Sequence, residues 1–238
     1  MSRGRRLAIL SAAAAALLLV AAIALFQISK ARCFTLTGEI VCRVETDEPV
    51  VALTFDDGPT PEGVELTLSH LRREGVKATF FLIGSQIEQA PELVGRLAVK
   101  GHELGNHSYS HVRMVGRSFA FYDKEIGRTE ALLRGMGAPP SGLFRPPYGK
   151  KLVGLPRAVA ARGLRMVMID VEEPIDAASP REYADRMVRE ARPGSILLMH
   201  VMYRGNGLAR EALPLVLSGL RERGLRVVTV GELLRRQR

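Results

Sequence analysis

The 238-residue sequence predicts an α/β protein: a distorted (β/α) barrel of about seven strands, preceded by one N-terminal transmembrane or signal helix. Three observations carry this reading. From Val50 onward, short β-branched and apolar runs alternate with helix-length amphipathic segments, the pattern of βαβ units and of a parallel sheet with buried strands. The first of these strands is not followed by Gly-x-Gly-x-x-Gly, so nothing directs the chain to a dinucleotide-binding sheet, and a closed or nearly closed barrel fits better. An almost unbroken apolar run, Leu7 to Ile28, stands in front of the rest.

That run follows Arg3, Arg5 and Arg6 and is interrupted only by Ser11 and Gln27. It approaches the roughly 20 residues that cross a bilayer as a helix, and arginines ahead of such a segment keep the N-terminus in the cytoplasm. A cleaved signal peptide is the rival, because Ala22-Ile23-Ala24 and Ser29-Lys30-Ala31 both offer small-residue cleavage patterns. Signal-peptide apolar cores usually run about 7–15 residues, which favours an uncleaved anchor. The expected layout is an anchor over 1–30, a short extracytoplasmic linker over 31–49 and a folded domain over 50–238. The protein is then a single-pass cell-membrane protein, or a secreted or periplasmic one if the leader is removed. Cys33 and Cys42, the only cysteines, lie in the linker, where export predicts a disulfide. Their stalk-like position places them outside the barrel and away from any chemistry.

Within the domain, Val50–Phe55 reads as a buried strand, stopped by Asp56-Asp57-Gly58-Pro59. Pro61 to Gly75 has helical spacing with proline at the start and glycine at the stop. Ala78–Gly84 reads as a strand, Pro91–Lys100 as a helix, His102–Ser108 as a short strand segment and Ser118–Arg134 as a helix. The alternation continues with helices at Val153–Arg162, Pro180–Ala191 and Leu208–Arg223, and strands at Leu164–Ile169, Ser195–Met199 and Leu225–Val230.

The net charge of +9 comes from arginines spread along the chain, without a dense basic block interleaved with aromatics, so no nucleic-acid partner is expected. A basic surface remains compatible with anionic lipid or an acidic envelope polymer.

Two acids side by side at a strand end can do different work, because neighbouring residues there point in different directions. Asp56 and Asp57 can therefore divide proton transfer and cation binding between them, although Asp-Asp-Gly-Pro also suits a turn with no chemistry. His107 and His111 are four apart in HSYSH; a helical turn there projects both imidazoles from one face, the geometry for holding one metal. Of the five histidines only His70 lies inside a plain helix, while His102, His107, His111 and His200 fall at or near strand ends, where a barrel site gathers. Asp57 with the two histidines makes three ligands and leaves positions open for water and substrate; Asp56 is then free to accept a proton.

TFDDGP at Thr54–Pro59, HSYSH at His107–His111, RPPYG at Arg145–Gly149 and ILLMH at Ile196–His200 together resemble the ordered motifs of the polysaccharide deacetylases, carbohydrate esterase family 4, the NodB homology domain. The resemblance spans about Val50 to Leu234 and implies a metal-dependent hydrolase that removes N-acetyl groups from a glycan containing N-acetylglucosamine. Chitin oligomer, peptidoglycan and exopolysaccharide are all possible substrates. It implies Asp56 as catalytic base, with Asp57, His107 and His111 on a divalent metal, commonly zinc, with cobalt, nickel or manganese as substitutes. Arg145 would hold Asp56, the Tyr148 N–H would stabilise the oxyanion, and His200 would protonate the departing amine. The family usually orients that histidine through an Asp-x-x-Asp-Trp-like segment, but this chain has no tryptophan and reads IDVEEPIDAASP, in which Asp170 is the first choice and Asp176 the second. Tyr148 and Tyr203 are the expected stacking surfaces for a sugar. The competing readings are an amidase or deformylase acting on a lipid-linked or non-glycan substrate, and a non-catalytic glycan-binding barrel.

Overall fold

The computed structural model describes residues 2–138 and 141–238. Helix α1 (Arg3–Lys30) is long and apolar enough to cross a membrane, and none of its most apolar 18-residue window is buried by protein. Its last turn meets the folded domain: Lys151 N donates to Ser29 O at 2.9 Å, and Lys151 Nζ donates to Ala31 O. The Cys33–Cys42 disulfide then closes a small loop, with the two Cα atoms 5.3 Å apart, that contains a short strand, β1 (Ile40–Val41).

The domain proper begins with β2 (Val50–Asp56), buried throughout. Thr60 caps α2 (Pro61–Glu74) by accepting from Gly63 N, Pro61 supplies a first helical residue that needs no donor, and Gly75 ends the helix at φ 66°. Next come β3 (Thr79–Leu82), α3 (Gly84–Gln89), α4 (Pro91–Val99), β4 (Glu103–Asn106), α5 (Phe119–Gly135) and β5 (Leu143–Phe144). A 3₁₀ turn at Pro147–Gly149 leads to α6 (Gly154–Ala161) and β6 (Arg165–Val167). The chain finishes with α7 (Pro180–Glu190), β7 (Ile196–Met199), α8 (Gly207–Glu222), β8 (Arg226–Val228) and α9 (Val230–Leu234). Ser118 and Ser179 cap α5 and α7 in the manner of Thr60. The short helices α3 and α9 are additions to the sequence expectation.

All strand pairs are parallel, in the order β1-β6-β5-β4-β3-β2-β7, with β8 also on β2. The seven strands of the domain curl into the distorted barrel. One edge of β2 is shared, β8 pairing with Val50–Ala52 and β7 with Ala52–Phe55. The seam between β6 and β7 is closed twice: by a parallel bridge of Val171 to Leu197, and by β1, which pairs with β6 while Arg43 bridges Ser195. Residues 40–43 of the expected linker therefore form part of the barrel wall.

The period of two along each strand sorts side chains between two cores. Val51, Leu53 and Phe55 of β2, with Leu197 and Met199 of β7, pack against the helices. Val50 and Ala52, with Ile196, Leu198 and Phe81, fill the barrel interior. Asp56 continues the phase of Val50, Ala52 and Thr54, and His200 that of Ile196 and Leu198. Strand geometry thus aims both toward the interior at the C-terminal mouth.

Candidate active site

Asp56 is buried at the top of β2, and its partner is Arg145, buried just beyond β5. Arg145 Nη1 donates to Asp56 Oδ1 at 2.6 Å and to Thr54 Oγ1 at 2.8 Å; Nη2 and Nε donate to the Met168 and Val167 carbonyls. The guanidinium lies 4.1 Å from the Phe81 ring centroid. Burial alone would raise the Asp56 pKa, but the charges of Arg145, His107 and His200 and the Arg145 hydrogen bond override it and hold the carboxyl below its usual range. Asp56 is therefore anionic at neutral pH.

Asp57 turns out of the strand at φ 71°, a left-handed conformation uncommon for a residue with a side chain. Its Oδ1 lies 3.4 Å from His111 Nε2 and 3.8 Å from His107 Nε2. The two histidines do not share a helical face as the spacing suggested. Residues 107–118 are an irregular loop in which Ser108 and His111 both have positive φ, 64° and 54°. Asn106 anchors it, accepting from Ser108 N and donating to Ile126 O, and Ser108 Oγ accepts from His111 N. Glu125 accepts from both the N–H and the hydroxyl of Ser110. His107 Nδ1 bonds the Arg145 carbonyl at 2.8 Å; that carbonyl can only accept, so Nδ1 carries the proton and Nε2 presents its lone pair.

A divalent metal fits this group on three counts. Asp57 Oδ1 is buried without a hydrogen-bond partner among the described residues, and a cation would satisfy it. The three ligand atoms lie within 4.8 Å of one another. Ligands about 2.0–2.2 Å from a tetrahedral zinc stand about 3.3–3.6 Å apart, close to the carboxylate–imidazole distances found. Burial and the neighbouring His107 lower the His111 pKa, favouring the neutral, ligating imidazole.

His200 follows β7 on the same rim, and its partner corrects the sequence expectation. His200 Nδ1 lies 2.5 Å from Glu173 Oε1, and His200 N donates to Glu173 Oε2 at 3.0 Å. Tyr183 of α7 donates to that second oxygen at 2.6 Å. Asp170 is engaged at the other end of β7, accepting from Ile196 N and the Ser195 hydroxyl, and Asp176 pairs with Arg186. Burial opposes a charged imidazole, but the Glu173 hydrogen bond and the charges of Asp56, Glu173 and Asp57 outweigh it, raising the His200 pKa to about 9. Its protonated form prevails at neutral pH.

Asp56, Asp57, His107, His111, Arg145 and His200 line one cleft of about 520 Å³. Tyr148 forms part of its wall, at φ 57°, with its ring 4.7 Å from that of His111. Tyr203 is not among the lining residues; its hydroxyl accepts from Gln86 Nε2 and its ring is partly exposed. Lys30 and Arg32, from the end of α1 and the following loop, also line the cleft, which the sequence reading did not anticipate.

The barrel, the ordered motifs and the clustered acids and histidines are those of a carbohydrate-acting deacetylase. The chain belongs to the polysaccharide deacetylase family, carbohydrate esterase family 4; the family model "Polysaccharide deacetylase" matches residues 43–167. It is 32% identical over 202 residues to a peptidoglycan-N-acetylglucosamine deacetylase of Bacillus cereus, covering 84% of this chain and 94% of that one. It is also 32% identical to the peptidoglycan-N-acetylmuramic acid deacetylase PdaC of Bacillus subtilis, over 80% of this chain and 40% of that larger protein. Among solved structures, the Bc1960 peptidoglycan N-acetylglucosamine deacetylase in complex with an N-oxidanyl-benzamide superposes with a TM-score of 0.77 at 32% identity, covering 84% of this chain and 95% of the other.

Proposed function

We propose that this protein is a metal-dependent N-deacetylase of an N-acetylglucosamine-containing glycan, with peptidoglycan the first candidate, held at the membrane by α1 with residues 31–238 outside the cytoplasm. The observation that carries the catalytic reading is the pairing of opposed charges across one cleft: anionic Asp56, locked by Arg145, beside the Asp57–His107–His111 group, and cationic His200, locked by Glu173.

Asp57, His107 and His111 would hold a divalent ion such as zinc, which would supply Lewis-acid polarisation of the acetamide and acidify water. Asp56 takes the proton of the attacking water, and Arg145 keeps that carboxylate anionic until it does. The Tyr148 N–H, presented by a turn closed by Gly149 N to Pro146 O and Lys150 N to Pro147 O, donates to the carbonyl oxygen as charge develops on it. His200 donates its proton to the departing nitrogen, without which an amine is a poor leaving group. Glu173 holds the ring in place and stabilises the charge it carries before the transfer. Tyr148 offers a sugar-stacking face at the cleft, and Tyr203, which does not line it, is the second candidate.

Acetate release by the detergent-solubilised full chain from peptidoglycan, chitin oligomers and exopolysaccharide, before and after chelation and with zinc restored, tests the proposal. Release from a glycan that chelation abolishes and zinc restores is the expected result. A folded, zinc-loaded protein that liberates no acetate from any of them would overturn it.

A further inference from the structure

We infer that the outer end of α1 and the turn carrying Tyr148 together form a cationic subsite, built on Lys30 and Lys150, that takes a carboxylate of the glycan next to the sugar being deacetylated. The inference rests on the deacetylase reading and extends it to the substrate's charge. Both lysines line the cleft that holds Asp56 and His200. Their ammonium groups share one aromatic platform, Lys30 Nζ lying 5.0 Å and Lys150 Nζ 5.5 Å from the Phe26 ring centroid. Arg113 extends the positive edge toward the reacting centre, its guanidinium 5.5 Å from the ring of Tyr148, which itself packs on His111.

Solvated surface lysines are common, so the case depends on how these are held and on what fails to neutralise them. Lys151 is 1% exposed and bonds Ser29 O through its backbone and Ala31 O through its side chain, bracketing Lys30 against Lys150. The backbones that carry the two like charges are thus held beside each other. Among the described residues, no carboxylate lies within ion-pair distance of Lys30, Lys150 or Arg113. Of the acids lining the cleft, Asp56 pairs with Arg145, Asp57 faces His107 and His111, and Glu172 is paired with Arg32. Burial and the charges of Lys30 and Arg113 hold the Lys150 pKa below its usual value, the signature of a cation without a counterion.

An anion entering this edge gains charge-assisted hydrogen bonds and relieves the repulsion at once. Because the lysines share the catalytic cleft, the anion belongs to the molecule whose acetamide reaches His111 and His200. A glycan bearing free carboxylates on alternate sugars, as peptide-free strands supply through the lactyl ether of muramic acid, has that arrangement; a plain chitin chain does not.

The test uses the full chain in neutral detergent and peptide-free peptidoglycan strands, with lactyl carboxylates either free or blocked as methylamides. In the wild type, kcat/KM is expected to be about 10-fold higher on free strands than on blocked ones, and the ratio should fall toward one in Lys30→Gln/Lys150→Gln. Equal rates on the two strands in the wild type, or an unchanged ratio in the variant, would overturn the subsite. A ratio that responds only when anionic phospholipid is added would assign the lysines to lipid headgroups and overturn it too. Strand binding by fluorescence anisotropy separates this failure from that of the deacetylase reading. Tighter wild-type binding of free strands, lost in the variant, supports the subsite even without acetate release, whereas equal binding overturns it.

Discussion

Glu173 grips His200 twice, at Nδ1 through Oε1 and at the backbone N–H through Oε2, so that one carboxylate fixes both the orientation and the charge of the imidazole. A third donor, the Tyr183 hydroxyl, keeps the carboxylate in place from α7. Burial opposes ionisation of Glu173, but these bonds and the His200 charge lower its pKa nonetheless.

Glu173→Gln should remove the charge that holds His200 at about 9. A raised histidine pKa keeps the acid form available below it and loses it as pH rises through it. The alkaline limb of kcat/KM should therefore move to lower pH in the variant, with a loss of about 10–100-fold near pH 8. The same sign applies to stability: the contribution of the pair is full below the unfolded histidine value and disappears as pH approaches 9. A pH profile of acetate release checks the first statement, and an unmoved alkaline limb would remove Glu173 from the role.

Asp57 and Asp56, though adjacent, should fail differently. Asp57→Ala takes away the anionic ligand, leaving His107 and His111, so bound metal and activity should fall together. Asp56→Asn should retain the metal while turnover drops about 10²–10⁴-fold. Metal content by mass spectrometry beside acetate-release rates separates them. If the metal loss followed Asp56, the two assignments would be exchanged.

Much of this site was legible because it depends on strand phase. Val50, Ala52, Thr54 and Asp56 alternate inward, as do Ile196, Leu198 and His200, and the turn chemistry of Asp57-Gly58-Pro59 marks the end of β2. Glu173 was hidden for the converse reason. Strand β6 ends at Val167, so beyond it no periodicity tells which acid of Asp170, Glu172, Glu173 and Asp176 faces which way. Tertiary contacts decide: Asp170 meets the start of β7, and Glu173 its end. The His107–His111 loop departs from a helical turn because its left-handed residues are fixed by Asn106 and Ser108 rather than by local propensity. Strand β1 is two residues long, too short to announce itself, and exists because the seam beside β6 needs a partner.

That seam alters what the disulfide is expected to do. Cys33 and Cys42 bracket β1 and are nine residues apart, a loop whose closure is worth about 2–3 kcal/mol on a chain-entropy basis. Cys33→Ser/Cys42→Ser should lower the unfolding temperature by several degrees and loosen the barrel wall near Lys30 and Arg32. Differential scanning calorimetry in detergent reads the loss. An unchanged melting temperature would show that pairing with β6 holds the segment without the bond.

Arg145 offers the sharpest test of how the site is held together. Its guanidinium bonds Asp56, Thr54 and two carbonyls while covering Phe81, so the side chain is a buried strut as well as a counterion. Arg145→Met keeps much of the bulk but leaves Asp56 buried without its partner, a loss of about 3–5 kcal/mol for a broken buried pair. The titration sign should reverse with it. In the wild type the depressed Asp56 pKa contributes stability that is present above the unfolded aspartate value and lost as pH falls through the folded one. In the variant burial dominates and the folded value rises above the unfolded one, so metal-free protein should lose stability as pH increases from about 4 upward. The acid limb of kcat/KM, which reports the anionic base, should shift to higher pH in parallel. Arg145→Met/Asp56→Asn removes the stranded charge, so it should recover part of the stability while staying inactive. Melting temperatures of the single and double variants at pH 5 and pH 8 decide the matter. A double variant no more stable than Arg145→Met at pH 8 would mean that Arg145 serves packing alone and that Asp56 is kept anionic by other groups.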